Sequence, residues 1–167
     1  WAPTWADRQT YGRDIPDAWV AKAVVDKALL QGQGVMWKHI HFMATMHAEN
    51  NGFYEWARPM VWRPDDLRVH QTTDRGICAL NSYWYQAAYP QGHWQHVPDS
   101  VAYDWEAAIP DTMNVIQEYA INKAKGSSVW DWKPILDWQW HAFGTDRYEQ
   151  ALPVMRAAIN DELRSRG

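Results

Sequence analysis

The chain has 167 residues, a formal net charge of −4, 47% hydrophobic residues and 22% charged residues. These values are ordinary for one globular domain with a substantial core, and the lack of a basic surplus argues against nucleic acid or an anionic membrane as a partner. No apolar run approaches the roughly 18 residues that a membrane span needs, and the single cysteine, Cys78, excludes an internal disulfide.

Residues 1–16 contain two prolines and show no periodicity, which predicts an irregular N-terminal arm. They lack the basic and apolar regions of a signal peptide, and the chain lacks an initiator Met, so we expect a processed or excised domain. We find no repeat, low-complexity run or linker, and residues 1–167 are therefore interpreted as a single domain that includes this arm.

Two helices are predicted in the first third of the chain. Asp17 is expected to cap a helix that runs to about Gln31, with Gly32 and Gly34 ending it. A second apolar helix is predicted from about Val35 to Asn50, where Asn50-Asn51-Gly52 supplies residues that tolerate a left-handed backbone.

The remainder is predicted to be irregular up to about residue 110, with a minor β-hairpin between 60 and 80, and helical beyond it. Asp111 or Thr112 is expected to cap a helix through about Lys125, and Thr145 to cap the last one. That last helix carries an apolar stripe, and Pro153 is predicted to kink or restart it. The stripe comprises Tyr148, Leu152, Met155, Ile159 and Leu163. The predicted fold class is α+β, mainly α.

Two carboxyl groups stand in contrasting environments. Glu49 falls at the end of an apolar helix, where desolvation and the negative end of the helix dipole are expected to raise its pKa. Asp74 comes from a polar turn and should stay ionised. A protonated and an ionised carboxyl form the usual pair for glycoside cleavage, although a solvated Glu and a turn-forming Asp are the common alternative.

Tryptophan is unusually abundant, with 13 residues beside eight tyrosines. A large aromatic core accounts for some of them. A carbohydrate groove is the other interpretation, because indole faces stack on the apolar faces of sugar rings. Composition leaves both open.

A family resemblance strengthens the glycosidase interpretation. Thr73-Asp74-Arg75-Gly76-Ile77, followed by Leu80-Asn81-Ser82, resembles the lysozyme-superfamily signature (Ser/Thr)-Asp-x-Gly-(Ile/Leu)-x-Gln-(Ile/Leu)-Asn-Ser. Ala48-Glu49 after a helix resembles the catalytic-Glu helix of phage lysins and soluble lytic transglycosylases. Trp130, Trp138, Gly144 and Tyr148 resemble the C-terminal pattern of phage lytic domains. The resemblance covers about residues 17–155 and implies a lysozyme-like fold with a minor β-hairpin.

The resemblance also implies roles for individual residues. Glu49 corresponds to the general acid and Asp74 to the second carboxylate of animal lysozymes. The expected substrate-binding residues are Thr73, Arg75, Gly76, Asn81, Tyr119 and Tyr148. Arg75 either contacts the substrate or pairs with a carboxylate. Two positions depart from the pattern: Ala79 replaces the Gln of the signature, and Asn50 follows the catalytic Glu where many transglycosylases have Ser.

The implied activity is cleavage of the β-1,4 bond between N-acetylmuramic acid and N-acetylglucosamine in peptidoglycan, without a cofactor. The alternatives are a lytic transglycosylase that gives 1,6-anhydro products, a catalytically silent wall-binding or virion module, and a chitinase or chitosanase. Glu55 is the main rival acid, and His39, His41 and His47 lack the spacing of a metal site.

The resemblance to phage lytic domains implies an endolysin or a tail-associated lysin as the biological setting. The protein is then expected in the host cytoplasm before release, or on the virion, and to act on the bacterial cell wall. Its expected partners are peptidoglycan glycan strands and further domains of a larger lysin or virion proteins.

Overall fold

The protein is mainly helical in a computed structural model. The structure describes residues 12–32, 34, 35, 37–50, 52–56, 60, 61, 73, 74, 76–78, 99–123 and 146–167. The elements in these ranges are α1 (Asp17–Leu30), α2 (Trp37–Asn50), β1 (Met60–Val61), β2 (Thr73–Asp74), α3 (Asp99–Ala102), α4 (Trp105–Lys123) and α5 (Asp146–Ser165). None of the described helices is both long enough and apolar enough to cross a bilayer.

Helix α1 begins one residue earlier than its predicted cap implies. The backbone amides of Trp19 and Val20 donate to the Pro16 carbonyl, so Pro16 is the N-cap and Asp17 is the first helical residue. Asp17 makes no capping hydrogen bond, but its charge is favourable in the first turn of a helix. The helix ends as predicted, because Gly32 has a φ of +70° directly after the Gln31 C-cap.

Helix α2 is the most extensively buried helix of the described structure. It begins at Trp37 rather than Val35, and residues 38, 39, 41–46 and 48 are all buried. A helix buried around most of its circumference must be covered by neighbours on several sides. Helix α5 packs against both α2 and α1, and α1 packs in turn against α4.

Helix α5 carries the best-defined apolar stripe. Tyr148, Met155 and Ile159 are buried as the spacing predicts, whereas Leu163 at the end of the stripe is 39% exposed. The prediction that Pro153 restarts the helix is wrong, because α5 is continuous from Asp146 to Ser165. Pro153 lies on the exposed face, where water can satisfy the carbonyl that loses its helical partner.

The predicted start of α4 is also wrong. Asp104 is its cap: the Glu106 amide donates to Asp104 Oδ1 at 3.1 Å, and the Ala108 amide donates to the Asp104 carbonyl at 2.8 Å. Asp111 and Thr112 therefore lie inside the helix. The Thr112 hydroxyl donates to the Ala108 carbonyl at 2.7 Å, one turn back.

Two antiparallel pairings connect the remaining segments. β1 pairs with β2 in the stretch where a hairpin is predicted, with Met60 opposite Asp74 and Val61 opposite Thr73. Part of the predicted irregular arm is ordered: Asp14 forms an antiparallel bridge with Tyr54, and the Ile15 amide donates to the Phe53 carbonyl at 2.8 Å. The start of the domain thereby runs beside the segment that follows α2.

A cluster of ion pairs links the C-terminus to α1. Arg166 binds both Asp26 and Glu162, and Lys22 donates to the other oxygen of Asp26 at 2.8 Å. The hydrogen bonds from Lys22 and Arg166 lower the pKa of the Asp26 carboxyl below its ordinary value. Because the folded state binds the Asp26 proton less tightly than the unfolded state does, ionised Asp26 stabilises the fold at pH values above the ordinary Asp pKa. This contribution is lost as the pH falls through the lowered pKa of the folded state.

We therefore predict that Asp26→Asn lowers the free energy of unfolding at pH 7, and that the difference from the wild type shrinks below about pH 4. Urea unfolding at several pH values measures this. Asp161→Asn is the matched control, because it removes a largely exposed pair with Arg164 inside one helix and should change stability little. An Asp26→Asn effect that stays constant between pH 7 and about pH 3 would contradict this account.

Candidate functional site

Glu49 occupies the penultimate position of α2, where this buried helix ends. The Gly52 amide donates to the His47 carbonyl at 3.0 Å, with Gly52 at a φ of +141°, and this bond closes the helix end. The His47 ring lies edge-on to buried Phe53, with 5.2 Å between ring centroids. These two contacts define where the chain leaves the helix, and with it the backbone position of Glu49.

The turn at residues 76–78 packs tightly against α3. Gly76 has a φ of +76°, and a Cβ atom at this position would lie 1.7 Å from the Ala102 carbonyl oxygen. The Gly76 amide donates to the Trp56 carbonyl at 3.0 Å. Only glycine fits both the backbone conformation and the approach of the Ala102 carbonyl. Gly76 therefore has a structural role with a specific physical cause.

The same turn is joined to the end of α2. Asn50 Nδ2, in the side chain, donates to the Ile77 carbonyl at 3.4 Å, and Cys78 Sγ lies 3.2 Å from Met46 Sδ. Met46 and Asn50 are one helical turn apart and therefore share a face of α2. The backbone of Glu49, next to Asn50, is thereby brought to the turn that follows Asp74.

A carboxyl group on α4 adds to the electrostatics of this junction. Burial raises the pKa of Asp111, and the positive charge of Lys27 opposes that shift. Burial also raises the pKa of the Cys78 thiol to about 12, and the neighbouring Thr112 side chain opposes that shift. The capping role predicted for Asp111 is wrong. Asp104, directly before Trp105-Glu106, is the stronger capping signal in the sequence and places Asp111 inside the helix.

The predicted site residues differ in how far they are described. Glu49 and Tyr119 lie in helices and Thr73 and Asp74 in β2, but their side chains are outside the described residues, as are Arg75 and Asn81 entirely. The Tyr148 side chain has no exposed surface. In this structure Tyr148 therefore belongs to the packing between α5 and its neighbours.

The alternative sites can be placed as well. Glu55, the rival acid, forms an ion pair with Arg13 at the surface, so its carboxylate has a structural partner. His39 and His41 are buried within α2. Across the described part of the chain, no three His, Cys, Asp or Glu side chains come together as a metal-binding group.

Comparisons with protein-family models, with curated proteins and with solved structures find no match to this chain. The lysozyme-like fold and the glycosidase activity are therefore predictions from the sequence motif.

We predict that Gly76→Ala lowers the free energy of unfolding by roughly 3 kcal/mol or more, because it adds backbone strain to a clash with the Ala102 carbonyl. Gly32→Ala is the matched control. Gly32 has a similar φ of +70°, but a Cβ atom added there would meet no atom within 4 Å, so this substitution should cost only about 1 kcal/mol. Equal losses in the two variants, measured by urea unfolding, would show that the contact with Ala102 contributes nothing.

Cys78 should be unreactive in the folded protein, because the thiolate is the nucleophilic form. With the pKa raised from 9.0 to about 12, we expect alkylation by iodoacetamide near pH 8 to be at least about a hundredfold slower than in urea-unfolded chain. Mass spectrometry of quenched samples measures both rates. Comparable rates would mean that the thiol is accessible and ionises normally.

Proposed function

We propose that this chain is a lysozyme-like glycosidase that cleaves the β-1,4 bond between N-acetylmuramic acid and N-acetylglucosamine in peptidoglycan, with Glu49 as the general acid. The proposed setting is a phage lysin, either an endolysin or a tail-associated domain. The proposal combines the sequence motif with the geometry of the junction between α2 and the turn at residues 76–78.

The observation that carries the proposal is the hydrogen bond from Asn50 to the Ile77 carbonyl, together with the contact between Cys78 and Met46. Glu49 and Asp74 are 25 positions apart in sequence, counting from 49 to 74. The two contacts bring the backbone segment that contains Glu49 and the segment that follows Asp74 to one junction. Hydrolysis of a glycosidic bond by this mechanism uses two carboxyl groups that flank the bond, and a junction of this kind is what such a pair needs.

The position of Glu49 in the chain suits a general acid. A carboxyl group in the last turn of a helix is close to the negative end of the helix dipole, which disfavours its ionised form. In the proposed reaction Glu49 gives its proton to the glycosidic oxygen as the C1–O bond breaks, and the leaving sugar departs as an alcohol.

Asp74 decides the second half of the reaction. As a carboxylate it stabilises the positive charge that develops at C1, forms a transient bond there, or positions the attacking water. In the first two cases water adds its oxygen to C1 and gives its proton to Glu49, whereas in the third it gives that proton to Asp74, and the product in each case has a reducing end. If the muramyl 6-hydroxyl attacks C1 instead, its proton passes to the deprotonated Glu49, no water is consumed and a 1,6-anhydro sugar results.

Glu49→Gln should reduce muropeptide release from purified sacculi by about 10²–10⁴-fold, because Gln cannot donate the proton. Glu55→Gln is the matched control: it neutralises the rival carboxyl, which is paired with Arg13, and it should leave the rate near that of the wild type. Mass spectrometry of the released fragments measures the rates. If Glu55→Gln abolishes release and Glu49→Gln does not, the assignment of the acid is wrong.

The same fragments distinguish the chemistry. Reducing-end products from the wild type, with a large loss in Asp74→Asn, would support hydrolysis with a direct role for Asp74. Anhydro products that persist in Asp74→Asn would identify a transglycosylase. Absence of any product from the wild-type protein would leave a wall-binding or virion module.

A further inference from the structure

A shallow groove between α1 and α4 contains two tryptophans in contact. The rings of Trp19 and Trp105 stack with 6.1 Å between centroids and 22° between planes. Trp105 is 8% exposed whereas Trp19 is 49% exposed. The buried ring therefore supports the exposed one, and Trp19 presents an indole face that is held in place rather than free to rotate.

Charged side chains of both signs surround this indole pair. The groove is lined by Trp19, Lys22, Asp26, Lys27, Trp105 and Glu106, together with the apolar Ala23, Leu30 and Pro110. Lys22 and Arg166 already bind Asp26. Lys27 and Glu106 are then one cation and one anion, so the groove favours neither an anion nor a cation. It offers hydrogen-bond donors and acceptors around an apolar platform, which is the pattern that a neutral polyhydroxy ring requires.

The indole N–H of Trp105 supplies an independent observation. This nitrogen is buried and has no hydrogen-bond acceptor within the described part of the chain. Because the nitrogen itself is closed to solvent, it belongs to the packing beneath Trp19, and the exposed indole of Trp19 is the surface that a ligand can reach.

The groove is separate from the junction at Glu49. On α4 the side chains of Glu106 and Pro110 line the groove, whereas Thr112 contacts Cys78 of the turn. Thr112 lies roughly 120–160° around the helix from those two residues at 100° per residue. The two surfaces therefore occupy different faces of α4.

We propose that the groove between α1 and α4 is a second saccharide-binding site, in which a pyranose ring of a neutral glycan stacks on Trp19 and hydrogen-bonds to the surrounding Lys and carboxyl groups. The site binds glycan without cleaving it. On a polymeric substrate it holds a second point of the strand and raises the effective concentration of the chain at the wall. This inference goes beyond the proposed function and does not depend on it, since binding is measurable without cleavage.

Titration of the ¹⁵N-labelled full chain with triacetylchitotriose and with cellotriose tests the proposal. The expected result is that the indole N–H signals of Trp19 and Trp105 shift with at least one of these trisaccharides. Trp19→Ala should weaken the binding at least about tenfold, as for a stacked aromatic anchor, and Trp19→Tyr should restore much of it. Trp37→Ala is the matched control, since Trp37 is 40% exposed at the start of α2 and outside the groove.

The proposal is overturned if neither indole N–H signal shifts with either sugar, or if Trp19→Ala and Trp37→Ala lose equal affinity for the sugar. It is also overturned if the wild type is a dimer that Trp19→Ala converts to a monomer, because the groove would then be an interface between two copies. Measuring both muropeptide release and binding to sacculi separates the two proposals. If the wild type releases no muropeptides but binds sacculi, and Trp19→Ala weakens that binding, the saccharide site stands and the glycosidase assignment fails.

Discussion

The described junction depends on the approach of the Ala102 carbonyl to Gly76. Because position 76 has no side chain and adopts a positive φ, the backbone of α3 can lie directly on the turn at residues 76–78. That approach accompanies complete burial of Ile77 and places Cys78 beside Met46. The hydrogen bond from Asn50 to the Ile77 carbonyl then ties the end of α2 to the same turn. A β-carbon at position 76 would force these elements apart.

Helix α2 is covered around most of its circumference, and Glu49 lies in its last turn. Covering such a helix requires long partners, and α5 supplies one by packing against both α2 and α1. Pro153 is tolerated in α5 because it lies on the exposed face. The ion pairs of Arg166 with Asp26 and Glu162 then link the last residues to α1.

The described tryptophans differ in their exposure. Trp105 is buried and belongs to the core, whereas Trp19 and Trp37 are substantially exposed. Trp19 differs from Trp37 in its support, since it stacks on another indole within a charge-balanced groove, while Trp37 lies tilted on the ring of His41. Exposure alone does not make an aromatic residue a binding platform. A fixed orientation and polar neighbours are also needed.

The sequence by itself determined the features that depend on neighbours within a few positions. The end of α1 at Gly32, the end of α2 at Asn50 and the buried stripe from Tyr148 to Ile159 follow from local backbone preference and helical periodicity. The start of α4 is locally encoded too, although by Asp104 rather than by the predicted Asp111 or Thr112. Only the tertiary structure decided the contacts between distant segments: the pairing of residues 13–15 with 53–55, the approach of Ala102 to Gly76, and the desolvation of Asp111. These contacts depend on which elements pack together. The local sequence around a glycine or a carboxyl group does not show whether a distant segment packs against it.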